Sequence, residues 1–390
     1  LARAAQLCRQ AVETPREGTI LSVADAAARG AAGPDESSFD GVAQAALRAA
    51  ETALQATPAQ MEALVGRRVQ DAGGFGLVVI LRAFAGDGEA GRERPAGAVR
   101  AADPPAGETA PGRRVAVVTD SGADLPEALC RAHGIHVVPI SVEIDGDRRL
   151  DGSETVLDEL YRRMRGGTVP RTAAPSPGAF IQLYESLLAR HDAVISIHIS
   201  ARLSGTVQAA KLAQRQLGQA GPGARLALVD SESASMGCGL VVLAAAALAD
   251  GGAGLDEVRQ TALRAPARLG LLGVVDSLRY LEASGRIGRA RGFFGSLMQA
   301  KPLLTIQGGE VSPKGRARGR LQALAACRDF VCEHGVAERG AIMISDEPER
   351  REELLAQLPP LASGEWIVAR FGATVASHIG PGSFGVAVLG

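Results

Sequence analysis

Between Gly86 and Gly112 the chain reads GDGEAGRERPAGAVRAADPPAGETAPG. Proline, glycine, alanine and charge fill this stretch, and no apolar residue recurs at a period of 2 or 3.6, so it cannot bury enough surface to order itself. It reads as a linker over 86–112, and folded structure is expected on either side. The chain has 390 residues, enough for two or three separately cored domains.

The two flanks carry different periodicities. Residues 1–85 read as all-α: FDGVAQAALRAAETALQAT is alanine-rich with apolar residues at helical spacing, and Thr57-Pro58 is expected to close that helix, with Pro58 beginning the next. Residues 113–390 alternate strand and helix. RRVAVVTDSGADLPEALCRAHGIHVVPISVEI holds a strand, a polar turn, an amphipathic helix and a second strand, and the rhythm recurs at HDAVISIHIS, ARLALVDSESASMG and LGLLGVVDSLRYLEASGRI. This βαβ pattern predicts an α/β fold with a mainly parallel sheet covered by helices. In such sheets ligands sit beyond the carboxyl ends of the strands, which makes Thr119, Asp120, Ser121, Ser200, Ser204, Asp230 and Ser231 site candidates.

Composition removes several function classes. Lys plus Arg number 42 against 43 Asp plus Glu, and aromatics are 3%, so the chain has neither the field nor the rings to recruit nucleic acid. Cys8, Cys130, Cys238, Cys327 and Cys332 are scattered, without CxxC spacing, and suggest neither a disulfide framework nor a metal site. They suit a reducing cytoplasm. The longest apolar run, GLVVLAAAALA from Gly239 to Ala249, is far short of the roughly 20 residues of a membrane span, so a soluble protein with at most peripheral membrane contact is expected. No signal-peptide pattern opens the chain, which begins at Leu1, and upstream sequence is expected to be missing.

The stretch ISARLSGTVQAAKLA, Ile199 to Ala213, carries the most chemistry. A strand delivers Ser204, Gly205 and Thr206 to a helix start, where hydroxyls and free backbone N–H groups can hold an anion. Helix capping explains the same residues and is compatible with anion binding.

VAVVTDSGADLP, TAAPSPGAF, LSGTVQAA, VDSESASMG, LEASGRIGRA, KPLLTI and HIGPGSFGV, in that order from about Arg114 to Gly390, resemble the successive motifs of the DegV family. The resemblance implies a two-lobed α/β fold that buries a long-chain fatty acid between its lobes. Some members are the lipid-carrying subunit of bacterial fatty acid kinase. The first block, with PREGTILSVADAAARGA and ALQATPAQMEALVGRRVQDAGGFGLVVIL, resembles the later half of the dihydroxyacetone-kinase L-type domain, the ATP-binding part of that kinase.

By this resemblance Thr172, Ser204, Thr206, Arg286 and His378 bind the fatty acid carboxylate. Arg286 suits the task because its planar fork donates two parallel bonds, and His378 can donate one bond, charged or neutral. Two alanines, Ala173 and Ala174, stand where the family usually has Ser and Gln after the threonine, and Ser284-Gly285 replaces its usual glycine pair. Glu17, Gly18 and Thr19 match the nucleotide-side loop, and Asp71, Gly73 and Gly74 match a later glycine turn. The earlier half of the kinase domain, with its magnesium-binding aspartates, is not matched, so this chain is expected to have no cofactor and not to bind Mg-ATP productively. A complete kinase domain, in cis or in trans, would supply ATP and magnesium and convert the presented carboxylate to an acyl phosphate. Two other readings stay open: a serine hydrolase using Ser204 or Ser383 with His378 and an aspartate, although no G-x-S-x-G elbow is present, and a helical block that only dimerises.

Overall fold

The computed structural model of the chain describes residues 2–10, 17–33, 39–60, 72–84, 114–221, 223–290 and 300–390. They fall into two compact units, Leu1–Asp103 and Pro104–Gly390. The linker reading over 86–112 lies outside the described residues.

The described part of the first unit is helical: α1 (Ala2–Gln10), α2 (Ile20–Gly30), α3 (Phe39–Gln60) and α4 (Ala72–Phe84). Val23 and Ala27 of α2, Ala46, Leu47 and Ala50 of α3 and Val78 and Leu81 of α4 form its core. Small side chains let α2 and α3 approach closely. A Cβ at Gly30 would lie 2.6 Å from the Ala45 carbonyl oxygen, so only glycine fits. The expected helix end at Thr57-Pro58 is corrected, because α3 continues to Gln60. Pro58 has no N–H for the Leu54 carbonyl four residues back, and the Thr57 hydroxyl donates to that carbonyl instead, at 2.7 Å.

The second unit begins with β1 (Val115–Asp120), α5 (Glu127–Ala132), β2 (Ile135–Val138), β3 (Ser141–Ile144), β4 (Asp147–Leu150), α6 (Glu154–Arg165) and β5 (Arg171–Ala173). There follow α7 (Pro177–Leu188), β6 (Ala193–His198), α8 (Thr206–Gln216), β7 (Leu226–Asp230), α9 (Ser235–Asp250), α10 (Leu255–Arg264), β8 (Leu269–Val274) and α11 (Arg279–Ser284). The last elements are β9 (Ala300–Gln307), β10 (Glu310–Arg318), α12 (Gly319–His334), β11 (Arg339–Ile344), α13 (Arg350–Leu355), β12 (Ile367–Arg370), α14 (Ala373–Ile379) and β13 (Phe384–Leu389).

One sheet has the order β2-β1-β6-β7 and is parallel throughout, as the βαβ rhythm predicts. The second, β10-β9-β8-β13-β11-β12, corrects that expectation: only β11 and β12 run parallel. The reason is partly local. Gly308 and Gly309, both at positive φ, turn β9 directly into β10, and a two-residue turn can only join antiparallel strands. A small antiparallel sheet, β4-β3-β5, completes the unit.

The apolar run Gly239–Ala249 lies in α9, which is buried on nearly every face. Its side chains share one core cluster with Val117 of β1, Ile195 of β6, Met343 of β11 and Ala387 of β13. A helix that is hydrophobic all round belongs in such a place, with a sheet on either side.

Candidate functional site

A slot opens in the second unit, with about 1050 Å³ of free space when its mouth is included. Its walls are mostly aliphatic and draw on both sheets: Ile199 follows β6, Leu271 and Val274 lie on β8, Leu304 on β9 and Phe384 on β13. Thr172, Ser204, Arg286 and His378, four of the five residues assigned to a carboxylate, line it too.

Each is placed by its own local chemistry. Thr172 is the middle residue of the short strand β5, paired with Val142 of β3. After it Ser176 caps α7, accepting from the Ala179 N–H at 3.3 Å, and Pro177 opens that helix. Ser204 sits in the turn between β6 and α8, its N–H donating to the Ser200 carbonyl at 3.0 Å. Arg286 follows Gly285, which ends α11 in the left-handed region at φ 73°. His378 stands in the last turn of α14, before Gly380 at φ 84°. A Cβ at Gly380 would meet the Tyr280 ring at 2.5 Å, so the chain can turn there only as glycine.

The fifth residue, Thr206, is not among those lining the slot. It is fully buried, and its hydroxyl stands 2.8 Å from Ser204 Oγ, while its N–H donates to the same oxygen at 3.3 Å. Thr206 therefore orients Ser204 from behind.

Thr172 Oγ1 and His378 Nε2 are 3.0 Å apart. Burial, and then the nearby Arg286 charge, push the His378 pKa down to about 4, so the ring is neutral near pH 7. Its Nδ1 is buried without a hydrogen-bond partner. Arg286 is held by two backbone carbonyls, with Nε donating to Leu203 at 3.3 Å and Nη1 to Ser284 at 2.5 Å. No partner among the described residues takes its Nη2.

The strand-tip candidates other than Ser204 and Thr119 bond mainly to the backbone. Asp120 accepts from the N–H groups of Gly122 and Ile199 at 3.0 and 3.1 Å and contacts His198 Nδ1 at 2.8 Å. Ser121 Oγ accepts from the Ile140 N–H, the Ser200 hydroxyl donates to the Gly309 carbonyl, and Asp230 accepts from the N–H groups of Ala201 and Glu232. Ser231 and Thr119 are buried, and the Ser231 hydroxyl donates to the Ser233 carbonyl.

The hydrolase arrangement is not formed at the slot. Ser204 Oγ pairs with Thr206, Ser383 Oγ donates to the Ile379 carbonyl at 3.1 Å, and His378 faces Thr172. A Ser–His–Asp sequence of contacts does exist elsewhere, through Ser196 Oγ, His198 and Asp120 at 2.7 and 2.8 Å. All three residues are fully buried and Ser196 Oγ already accepts the Tyr184 hydroxyl at 2.8 Å, so no substrate can reach it.

Two buried aspartates escaped the sequence reading. Asp151 accepts from the N–H groups of Ala373 and Thr374 at 2.9 and 3.0 Å, which anchors the start of α14 and so the helix that carries His378. Asp124 accepts from the Gly372 N–H at 2.9 Å and from the hydroxyl of Ser235, itself a slot residue, at 2.5 Å. Burial raises both carboxyl pKa values, that of Asp124 well above the ordinary range. The one local signal is a left-handed backbone at Asp124 and Ser235, φ 51° and 50°, which no sequence pattern announces.

In the helical unit, Glu17 ion-pairs with Arg9 at 2.9 Å and accepts the Ser22 hydroxyl at 2.6 Å, and these bonds, that from Ser22 first, hold its carboxyl below the usual range. The Gly18 N–H donates to Ser22 Oγ, and Thr19 caps α2 by accepting from the Leu21 N–H at 3.3 Å. Gly73 and Gly74 lie in the first turn of α4 and form no glycine turn; Asp71 is outside the described residues. Among the described residues no group of three or more His, Cys, Asp or Glu side chains could hold a metal, and no helix is long and apolar enough to cross a membrane.

Comparison with known proteins agrees with this geometry. Residues 1–86 match the DAK2 domain, and residues 114–390 match the model described as "Uncharacterised protein, DegV family COG1307". A DegV domain-containing protein of Deinococcus radiodurans is 37% identical over 279 residues, covering 70% of this chain and 98% of that protein. Among solved structures, one described as fatty acid binding of a DegV family protein from Thermus thermophilus is 37% identical with a TM-score of 0.63, covering 71% of this chain and 99% of its own. A second, described as DegV, a fatty acid binding protein from Bacillus subtilis, is 28% identical with a TM-score of 0.62, covering 71% of this chain and 100% of its own. With residues 114–390 of its second unit matched, the chain belongs to the DegV family.

Proposed function

We propose that the slot binds a long-chain fatty acid, tail inward, and presents its carboxylate for phosphorylation by a kinase domain. The observation that carries this reading is an aliphatic slot with Thr172, Ser204, Arg286 and His378 on its wall, in a chain whose relatives from Thermus and Bacillus are described as fatty acid binding.

The tail provides the affinity. Each buried methylene contributes about 0.8 kcal/mol, so ~14 of them give roughly 11 kcal/mol before association costs. A charge-assisted bond to the carboxylate nets only about 1.5–3 kcal/mol, because water already solvates that group. The polar residues therefore set register. Ser204, steadied by Thr206, donates to one carboxylate oxygen. Thr172 donates to the other, and His378 Nε2–H donates to Thr172 in turn. That tautomer leaves Nδ1 as a bare acceptor in its buried position, which costs less than a stranded N–H.

Phosphoryl transfer needs a nucleotide and magnesium, whose chemistry is the supply of the phosphoryl group and the neutralisation of its charge. In this reading the chain contributes lipid, orientation and an exposed oxygen, while a complete kinase domain, in cis or in trans, contributes nucleotide and metal. Native mass spectrometry of protein purified from a bacterial host, followed by lipid extraction, tests the binding step. A stoichiometric acyl chain is expected. Protein that carries none and takes up neither oleate nor palmitate overturns the reading.

A further inference from the structure

The wall of the slot carries a polar spot that the carboxylate residues do not use. Ser235, the first residue of α9, and Met343, the penultimate residue of β11, both line the slot, and Ser235 Oγ lies 3.2 Å from Met343 Sδ. On its other side Ser235 Oγ is 2.5 Å from Asp124 Oδ2. Its hydroxyl contacts run to these two residues and to none of Thr172, Ser204, Arg286 or His378.

One hydroxyl hydrogen cannot serve both neighbours. Burial raises the Asp124 pKa and so favours the neutral carboxyl. In that form Oδ2–H donates to Ser235 Oγ, while Oδ1 still accepts from the Gly372 N–H at 2.9 Å. The Ser235 hydrogen is then left to a thioether, which is a weak acceptor. The backbone sharpens the point. Ser235 stands at φ 50°, a conformation that glycine holds more readily, so a serine persists here through what its hydroxyl bonds.

A ligand oxygen at this spot would be a better acceptor than Met343 Sδ. It could also be satisfied in full: the Ser235 O–H donates to it, and the ligand's own O–H turns to the sulfur. We propose that Ser235 recognises a hydroxyl carried on the acyl chain, so that the slot takes a monohydroxylated long-chain fatty acid as well as a plain one. The inference rests on the fatty-acid reading above. Selectivity follows from register. With the carboxylate fixed at the head group, only a hydroxyl at the matching position along the chain reaches Ser235, and one placed elsewhere is stranded against aliphatic walls.

The test titrates delipidated full-length protein by calorimetry with stearate and with a series of monohydroxystearates in which the hydroxyl moves along the chain. One isomer, or two neighbouring ones, should bind within about twofold of stearate or tighter, and the others about tenfold or more weakly, because an unpaired hydroxyl loses its water in the slot. Ser235→Gly suits the local backbone and removes the hydroxyl. In that variant the favoured isomer should fall by about tenfold relative to stearate and join the others. The positional series on the unaltered protein decides by itself should the variant fold poorly. Stearate binding with every hydroxylated isomer equally weakened or equally tolerated overturns the inference, and so does a favoured isomer that keeps its standing in Ser235→Gly. Failure of stearate and of every isomer to bind overturns the fatty-acid reading and this inference with it.

Discussion

Thr172 and His378 lie 206 positions apart, yet Oγ1 of the first is 3.0 Å from Nε2 of the second. One comes from the small antiparallel sheet, the other from the helix before the last strand of the second large sheet. Their meeting at the slot couples the position of Thr172, the proposed carboxylate donor, to the packing of α14, and four expectations concern this site and its supports.

Head-group substitutions should separate retention from presentation. Ser204→Ala removes one bond to the carboxylate, His378→Ala the donor that orients Thr172, and Arg286→Ala a neighbouring charge, and lipid affinity should fall by about tenfold or less because the tail is untouched. Phosphorylation by a complementing kinase domain should fall by about 100-fold or more, since a carboxylate that keeps its slot but loses its register no longer meets its partner. Lipid retention and acyl-phosphate formation are measured side by side; losses in equal proportion would show that the head group is an affinity anchor instead.

The depressed pKa of His378 predicts acid sensitivity. Its folded value is about 4 against an ordinary 6.5, so above pH 6.5 the ring is neutral in both states and its contribution is complete. As pH falls from 6.5 towards 4 the unfolded chain gains a proton that the folded one refuses, and stability is lost, by roughly 3 kcal/mol at the extreme. Urea melts at pH 7.0 and 4.5 should show a smaller drop for His378→Asn than for the parent. An identical drop would place the acid sensitivity elsewhere.

Asp124 runs the other way. A buried carboxyl whose pKa is raised contributes stability that is complete below its unfolded value and is lost as pH rises through the folded one. Asp124→Asn preserves the shape, with its amide oxygen accepting from Gly372 and its amide nitrogen donating to Ser235. The variant should match the parent at about pH 3.5, below the ordinary carboxyl value of 3.8, and exceed it in melting temperature at pH 9. A variant less stable at both values would mean that the carboxylate is needed ionised.

Gly380→Ala tests the turn that aims the histidine. The new Cβ would lie 2.5 Å from the Tyr280 ring at a backbone φ of 84°. A destabilisation of about 2–4 kcal/mol is expected, with loss of carboxylate presentation in the residual folded protein. Chemical denaturation gives the first quantity and assay with a kinase domain the second. A change under 0.5 kcal/mol would mean that the turn can relax away from the ring.

Much of this architecture was legible in the chain itself. Alternating periodicity announces β1, β6 and β7 and their parallel order, and the apolar run at Gly239–Ala249 announces a helix with no solvent face. The ordered motifs named the family, and four of the five residues that the resemblance assigns to a carboxylate line one slot. These features rest on residues close in sequence, where backbone preference and side-chain period act directly.

What the chain could not show depends on contacts across long separations. The antiparallel pairing of β13 between β8 and β11 is chosen by packing against α9, not by any period within the strand. Thr206 reads like Ser204 until burial places one behind the other. Asp124 and Asp151 read as loop acids, and only the fold reveals that they hold the start of α14, 222 positions away in the case of Asp151 and Ala373. Local sequence therefore determined the elements and the chemistry available at their ends. The tertiary structure decided which of those ends meet, because burial and hydrogen-bond satisfaction are properties of the whole packed unit and not of any one segment.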